Sequence, residues 1–422
     1  MTTGSAGRSR RRVAVVTGCE LSPAVRDNGF FPRYVELLRL LGRDHDLRIA
    51  YLRPPRPQYP PDWSWLAPST DVVEIPIEPL AVSRRDRALR ASRRIVGVDP
   101  APTWHQALRR QLEAWGADVV IAVGHPLDVE LHAATSPVIP TVSFVEEDHR
   151  PLPEHRRSAA GDALRSYEEL ARRRSAAPPQ VSVVISSHEL AWGRARHPRA
   201  EVVVVPHRID TDTWAETTEP APGAGPLDVL VVGAIETERN AEGLHAIACE
   251  LSGRSDRPDQ LRLCVVSQQR PHPMLDQLDP HLFCYLGAIE DVRPWYRAAA
   301  MALVPAFTVT GAKTTILQAW ATGCPVVATT PAAEATGATH GVDVLAGATP
   351  REVASAVVRL AGDPELAGRL AAAGRAHLDE AHSAEGMARA TNDAIEVALR
   401  RPPMSASLLA DVTSRLRARA AR

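Results

Sequence analysis

Lysine is almost missing from this chain. Its 422 residues include 49 lysines and arginines, and only Lys313 is a lysine, so arginine supplies nearly every cation. A lysine ammonium is a compact point charge on a flexible stem, which a planar guanidinium does not replace. Chance survival of one lysine in an arginine-rich chain is the simplest explanation. The residues around Lys313 are needed to distinguish it from a functional role of this lysine.

Other scarcities exclude whole classes of protein. The five cysteines show no CxxC spacing, which is typical of small core residues in a reducing compartment. The net charge of −1 gives no global field for nucleic acid or an anionic membrane. No apolar run is long enough to span a bilayer, and the basic N-terminus is followed by too short an apolar run for a signal peptide. We therefore expect a cytoplasmic protein without nucleic-acid partners or membrane association, and its Ala-, Arg- and Pro-rich composition is typical of bacteria.

Short β-branched runs alternate with amphipathic helical stretches, which predicts parallel α/β sheets. The pattern stops at a Pro- and Gly-rich stretch and then restarts, so we predict two doubly wound, Rossmann-like domains facing a cleft, followed by a helical tail. The predicted parts are an N-terminal domain (1–212), a linker (213–226), a C-terminal domain (227–385) and C-terminal helices (386–422). Residues 54–102, rich in Pro and Arg, are predicted to be an irregular excursion.

Lys313 stands immediately before a predicted helix that ends at Gly323-Cys324-Pro325. Free backbone N–H groups and the helix dipole attract anions at such a junction, so phosphate is the natural partner of its ammonium.

Four ordered segments between residues 200 and 400 resemble the nucleotide-sugar-dependent glycosyltransferases of the GT-B fold, retaining family four in particular. They are Val202–Asp210, Val231–Ile235 with Glu238-Arg239-Asn240, Tyr285–Gly287 with Asp291–Tyr296, and Gly311–Ala328. This resemblance implies catalytic roles for Lys313 and Arg239 at the diphosphate of a nucleoside diphosphate sugar. It also implies donor-binding roles for Gly233, Gly287, Gly311, Thr314, Thr315 and Gln318.

The chain departs from that family at several positions. The family often has two carboxylates eight residues apart, where this sequence has Thr310 and Gln318. Gln318 can still hydrogen-bond ribose hydroxyls but carries no charge. Asp210-Thr211-Asp212 is an Asp-x-Asp motif that we interpret as a turn and helix cap, so we predict no metal site and no cofactor.

Loops after the predicted N-terminal strands supply the acceptor-site candidates. His125 ends a buried strand, where it either contacts sugar or acceptor as a catalytic residue or simply bonds to a loop. Asn28-Gly29 is either an ordinary turn or a close backbone approach to a ligand. Glu146, Glu147 and Asp148 form either a solvated acidic loop or a clamp for a cationic or polyhydroxyl acceptor.

The leading hypothesis is an enzyme that transfers a sugar from a nucleoside diphosphate sugar to a small, soluble, polar hydroxyl acceptor. We predict retention, independence of metal and a role in secondary-metabolite biosynthesis of the aminocyclitol or antibiotic type. The alternatives are a cell-envelope or lipid-linked glycan transferase and a non-catalytic GT-B protein that binds sugar nucleotides. A GT-B epimerase or a pyridoxal-phosphate-dependent phosphorylase, whose only possible cofactor lysine is Lys313, is a further alternative.

Overall fold

The computed structural model describes most of the chain in two compact units. The described residues are 10–18, 30–53, 63–77, 103–123, 132, 134–135, 138–144, 178–209, 211, 214, 225, 227–233, 235–267, 269–309 and 312–401. Within them, the chain up to Val184, Leu190–Val205 and the residues from Ala388 onward form the first unit. Ile185–Glu189 and Pro206–Met387 form the second unit.

The first unit is built on a parallel sheet of seven strands in the order β3-β2-β1-β4-β5-β6-β7. The strands are β1 (Arg12–Thr17), β2 (Asp46–Arg53), β3 (Asp71–Pro76), β4 (Val119–Val123), β5 (Thr141–Phe144), β6 (Val181–Val184) and β7 (Glu201–Val204). Every residue of β4 is buried, as expected for a central strand covered on both faces.

Helices described beside the first sheet include α1 (Phe30–Asp44), α2 (Thr103–Trp115), α3 (Leu190–Arg196) and most of α10 (Ala384–Arg400). Helix α1 has a buried apolar face formed by Tyr34, Leu37, Leu38 and Leu41. Helix α10 joins this unit through polar contacts. The His45 Nε2 atom lies 2.6 Å from Asn392 Oδ1, and Arg11 pairs with Glu396 at 3.5 Å.

The second unit repeats the design with six parallel strands in the order β10-β9-β8-β11-β12-β13. Its strands are β8 (Asp228–Val232), β9 (Arg262–Val266), β10 (Phe283–Gly287), β11 (Met301–Val304), β12 (Val326–Thr329) and β13 (Leu345–Gly347). Its helices are α4 (Glu238–Ser252), α5 (Arg293–Ala298), α6 (Thr314–Ala321), α7 (Thr330–Thr336), α8 (Pro350–Ala361) and α9 (Pro364–Ala381). Both sheets therefore have the Rossmann strand order, and the predicted α/β fold class is confirmed.

Two strands were not predicted from the sequence pattern, and both lie at sheet edges. The prediction of an irregular excursion over 54–102 is wrong at Asp71–Pro76, which forms β3 beside β2. An edge strand is only partly covered, and within β3 only Ile75 is buried. Strand β13 is three residues long and contains no β-branched residue, so it gave no strand signal.

The C-terminal region is helical as far as the structure describes it, through α8, α9 and α10. None of the helices in the described ranges is long and apolar enough to cross a membrane.

Helix α6 is held against α9 by a close contact that requires glycine. A Cβ placed on Gly374 of α9 would lie 2.2 Å from Cδ1 of Trp320, a fully buried residue of α6. Glycine therefore lets the helix backbone approach the indole ring directly.

We expect Gly374→Ala to lower the free energy of unfolding by about 1–3 kcal/mol, because the methyl group forces Trp320 or α9 to move. Gly368→Ala in the same helix is the control, since its Cβ would meet no atom within 4 Å. That variant should gain about 0.5–1 kcal/mol from lower unfolded-chain entropy. Urea unfolding measures both, and equal effects of the two substitutions would contradict the packing assigned to Trp320.

Candidate functional site

The strand order of the second sheet defines one position where loops diverge. Successive strands are added on one side of β8 as far as β10, and the chain then crosses to β11 on its other side. In sheets of this kind ligands bind at the carboxyl ends of the strands beside such a switch point. Gly233, Ser267 and Gly287 lie at the carboxyl ends of β8, β9 and β10, and Lys313 follows β11.

Two glycines shape the segment from the end of β8 into α4: Gly233 in the loop and Gly243 within the helix. Gly233 is exposed and has φ +145°, a conformation that favours glycine, and a Cβ placed on it would meet no atom within 4 Å. Its N–H donates to Val266 O at 3.1 Å. Ten residues later, a Cβ on Gly243 would lie 2.0 Å from Pro305 O, so α4 packs directly on the segment that follows β11.

Lys313 is the N-cap of α6, with extended backbone (φ −88°, ψ 105°) and a half-buried side chain. The following N–H groups, those of Thr314 and Thr315, have no hydrogen-bond partner among the described residues. A cation therefore stands beside two unsatisfied backbone donors at the positive end of a helix, which is the chemistry of an anion site.

Gln318, one turn further along α6, is held by a buried tyrosine. The Tyr296 hydroxyl donates to Gln318 Oε1 at 3.3 Å. Burial raises the pKa of Tyr296 well above its ordinary range, so the phenol remains a donor throughout the physiological pH range. With Oε1 engaged, the amide N–H₂ of Gln318 is the group left to contact a ligand.

Glu236 is a polar residue of this edge that the sequence analysis missed. Its Oε2 accepts a hydrogen bond from the Ser267 hydroxyl at 3.0 Å, which links the β8–α4 loop to the end of β9. Tyr285 supports the same edge, because its hydroxyl lies 3.1 Å from Gln269 O. Glu236 lies three residues beyond Gly233, so its position after the strand was the available signal.

The structure places six of the predicted site residues in this part of the second unit: Gly233, Gly287, Lys313, Thr314, Thr315 and Gln318. Arg239 lies in the first turn of α4, which begins at the same edge of the sheet. Gly311 lies outside the described residues, as do the predicted acceptor-site residues Asn28, Gly29, His125, Glu146, Glu147 and Asp148.

No group of three or more His, Cys, Asp or Glu side chains in the described part of the chain could hold a metal ion.

A cavity of about 860 Å³ lies beside α7, β13 and α8, with Glu334, Arg351 and Arg359 in its walls. None of the predicted site residues lines that cavity, and its walls lie at the outer edge of the sheet rather than at the switch point.

A buried histidine connects the end of α9 to the segment before the second unit's sheet. His382 Nδ1 donates to His207 O at 2.7 Å. Burial lowers the pKa of His382 below its ordinary value of 6.5. His382 is therefore neutral at neutral pH, where its Nδ1–H serves as a hydrogen-bond donor.

Comparison with known proteins agrees with this architecture. Residues 226–363 match the family model described as "Glycosyl transferases group 1". No curated protein matched the chain. Among solved structures, Anabaena Alr3699/HepE in complex with UDP and glucose is 14% identical, with a TM-score of 0.64 over 92% of this chain and 100% of that one.

Two further solved structures resemble this chain to a similar degree. Sucrose-phosphate synthase from Thermosynechococcus elongatus is 14% identical, with a TM-score of 0.64 over 91% of this chain and 98% of that one. WaaG, a glycosyltransferase involved in lipopolysaccharide biosynthesis, is 14% identical, with a TM-score of 0.58 over 92% of this chain and all of WaaG. The fold is therefore GT-B, and the match to the group 1 glycosyltransferase model lies within the second unit.

The depressed pKa of His382 predicts a pH-dependent stability. Below pH 6.5 the unfolded chain binds a proton that the buried ring does not, so the free energy of unfolding falls as the pH falls through this range. His382→Asn, whose amide can replace the Nδ1–H donor, should lose less stability than the wild type between about pH 7.5 and 5.5. Thermal unfolding at both pH values tests this, and identical losses in the two proteins would contradict it.

Proposed function

We propose that the chain transfers a glycosyl group from a nucleoside diphosphate sugar that binds at the carboxyl edge of the second sheet. The observation that carries the proposal is the junction at Lys313, where the chain's one lysine adjoins the N–H groups of Thr314 and Thr315, which have no acceptor among the described residues. The group 1 domain match and the GT-B likeness to a protein solved with UDP and glucose support it.

The chemistry required of the site is the stabilisation of a leaving group. When the anomeric C–O bond breaks, negative charge develops on the departing diphosphate. In this proposal the Lys313 ammonium and the α6 N–H groups face that charge, and Arg239 adds a second cation from the start of α4. Gly233 and Gly287 let the backbone approach the phosphates and the nucleobase, and Gln318 contacts the ribose.

Fixed cations can perform the role that a divalent metal performs in other transferases. We therefore propose a metal-independent transfer, with retention of anomeric configuration as the family resemblance implies. Proton NMR distinguishes the α- and β-anomers of the product by their coupling constants, and therefore tests whether the anomeric configuration is retained.

For the acceptor we propose a small, soluble, polar hydroxyl compound of the aminocyclitol type. His125, Asn28, Gly29 and the acidic loop of Glu146, Glu147 and Asp148 are the residues proposed to contact it. Three carboxylates repel anionic acceptors and attract an amine-bearing one. The likeness to WaaG keeps a cell-envelope acceptor as the second candidate.

Loss of the lysine should impair donor use specifically. We expect Lys313→Ala to lower kcat/KM for the sugar nucleotide about 10- to 100-fold, because a charge-assisted hydrogen bond contributes about 1.5–3 kcal/mol. Excess chelator should leave the wild-type rate unchanged. Steady-state release of nucleoside diphosphate measures both effects.

Arg359→Ala is the control for the lysine, since it removes an exposed cation of the same unit that lies on α8. Its kcat/KM should equal that of the wild type. Wild-type turnover in Lys313→Ala, or a rate that vanishes with chelator and returns with Mg²⁺, would contradict the proposed phosphate site.

The acidic loop should affect the acceptor alone. Joint replacement of Glu146 and Glu147 by Gln and of Asp148 by Asn should raise the KM for an aminocyclitol acceptor, because the attraction for its ammonium groups is lost. Hydrolysis of the sugar nucleotide in the absence of acceptor should not change. Unchanged acceptor kinetics, or sedimentation of the wild type with anionic liposomes, would favour the envelope alternative.

A further inference from the structure

The backbone of Lys313 is bound by a side chain 23 residues away. Its N–H donates to Thr336 Oγ1 at 3.1 Å. Thr336 is the last residue of α7, which follows β12, whereas Lys313 precedes α6, which follows β11. The hydrogen bond therefore connects two crossover segments of the second unit directly beside the anion-binding chemistry of α6.

The Thr336 hydroxyl is itself fixed in place. Thr336 is 4% exposed, and its Oγ1 donates to Ala332 O at 3.0 Å. A hydroxyl has one proton, so with that proton engaged the oxygen faces Lys313 as an acceptor. Gly337, in the left-handed conformation (φ +79°), ends α7 at this point and fixes where the threonine stands.

The packing around α7 restrains Thr336 further. Ala332, Ala333 and Ala335 of the same helix are buried together with Thr336. A side chain on Gly337 would lie 3.8 Å from the ring of His377. The hydroxyl is thus part of a buried, rigid region rather than a mobile surface contact.

We propose that Thr336 is a positioning residue for the donor diphosphate. Its hydroxyl holds the main chain of Lys313, and through it the ammonium and the unsatisfied N–H groups of Thr314 and Thr315, in the geometry that phosphate requires. This inference rests on the proposed function, because it assigns a second residue to the same site. Thr336 itself does not contact the ligand.

Thr336 should affect binding of the diphosphate part of the nucleotide but not binding of the nucleoside part. The positioned groups face phosphate, so a shift of Lys313 weakens binding of a diphosphate and leaves binding of the nucleoside alone unchanged. A merely structural role of Thr336 would weaken both in parallel. The ratio of the two affinities is therefore the readout that distinguishes positioning from stability.

The experiment measures UDP binding by calorimetry and uridine binding by competition against UDP. Thr336→Val keeps the β-branched shape and removes the hydroxyl, whereas Thr336→Ser keeps the hydroxyl. The matched control is Thr349→Val, which removes a hydroxyl that caps α8 by accepting from Glu352 N at 3.2 Å. Melting temperatures of all variants are recorded, and Thr336→Ala replaces the valine variant if that variant does not fold.

We expect Thr336→Val to weaken UDP binding about three- to tenfold, the effect of one hydrogen bond, without changing uridine binding. Thr336→Ser and Thr349→Val should bind both ligands like the wild type. The inference is overturned if Thr336→Val binds UDP normally, if it loses UDP and uridine equally, or if serine fails to restore the affinity. A wild-type protein that binds no nucleoside diphosphate overturns the proposed function itself.

Discussion

The site depends on one constraint, which is that all strands of the second sheet run in the same direction. Their carboxyl ends consequently lie at one edge, and residues far apart in sequence, such as Gly233, Gly287 and Lys313, are brought to the same side of the unit. The crossover from β10 to β11 opens that edge next to β8. A glycine at position 243, packed on Pro305 O, then brings α4 close to the end of β11.

Helix α6 is fixed at both ends, which suits a helix that presents charge to a ligand. At its start, the Thr336 hydroxyl holds the Lys313 backbone. Near its end, the Trp320 indole donates to Asp343 O at 3.2 Å and stacks on His377 at a centroid distance of 4.9 Å. A preorganised cation stabilises developing charge without the cost of reorganisation, so these contacts suit the role proposed for Lys313.

The sequence pattern predicted the fold well where strands are buried on both faces and poorly where they are not. Central strands such as Val119–Val123 are continuous apolar runs, whereas β3 is half covered and β13 is too short to show a pattern. The helix start at Lys313 followed from its loop-to-helix context. The contacts of Thr336 and Glu236 depend on which segments become neighbours in space, and single-sequence patterns carry no information about that.

The central claim is that a nucleoside diphosphate binds at the start of α6, and hydrogen–deuterium exchange with and without UDP tests it most directly. The N–H groups of Thr314 and Thr315 have no acceptor among the described residues, so we expect them to exchange readily unless a ligand binds there. The account predicts that UDP slows exchange in peptides covering residues 312–318 and the β8–α4 loop. Protection confined to the walls of the α7–α8 cavity or to the first unit would contradict it.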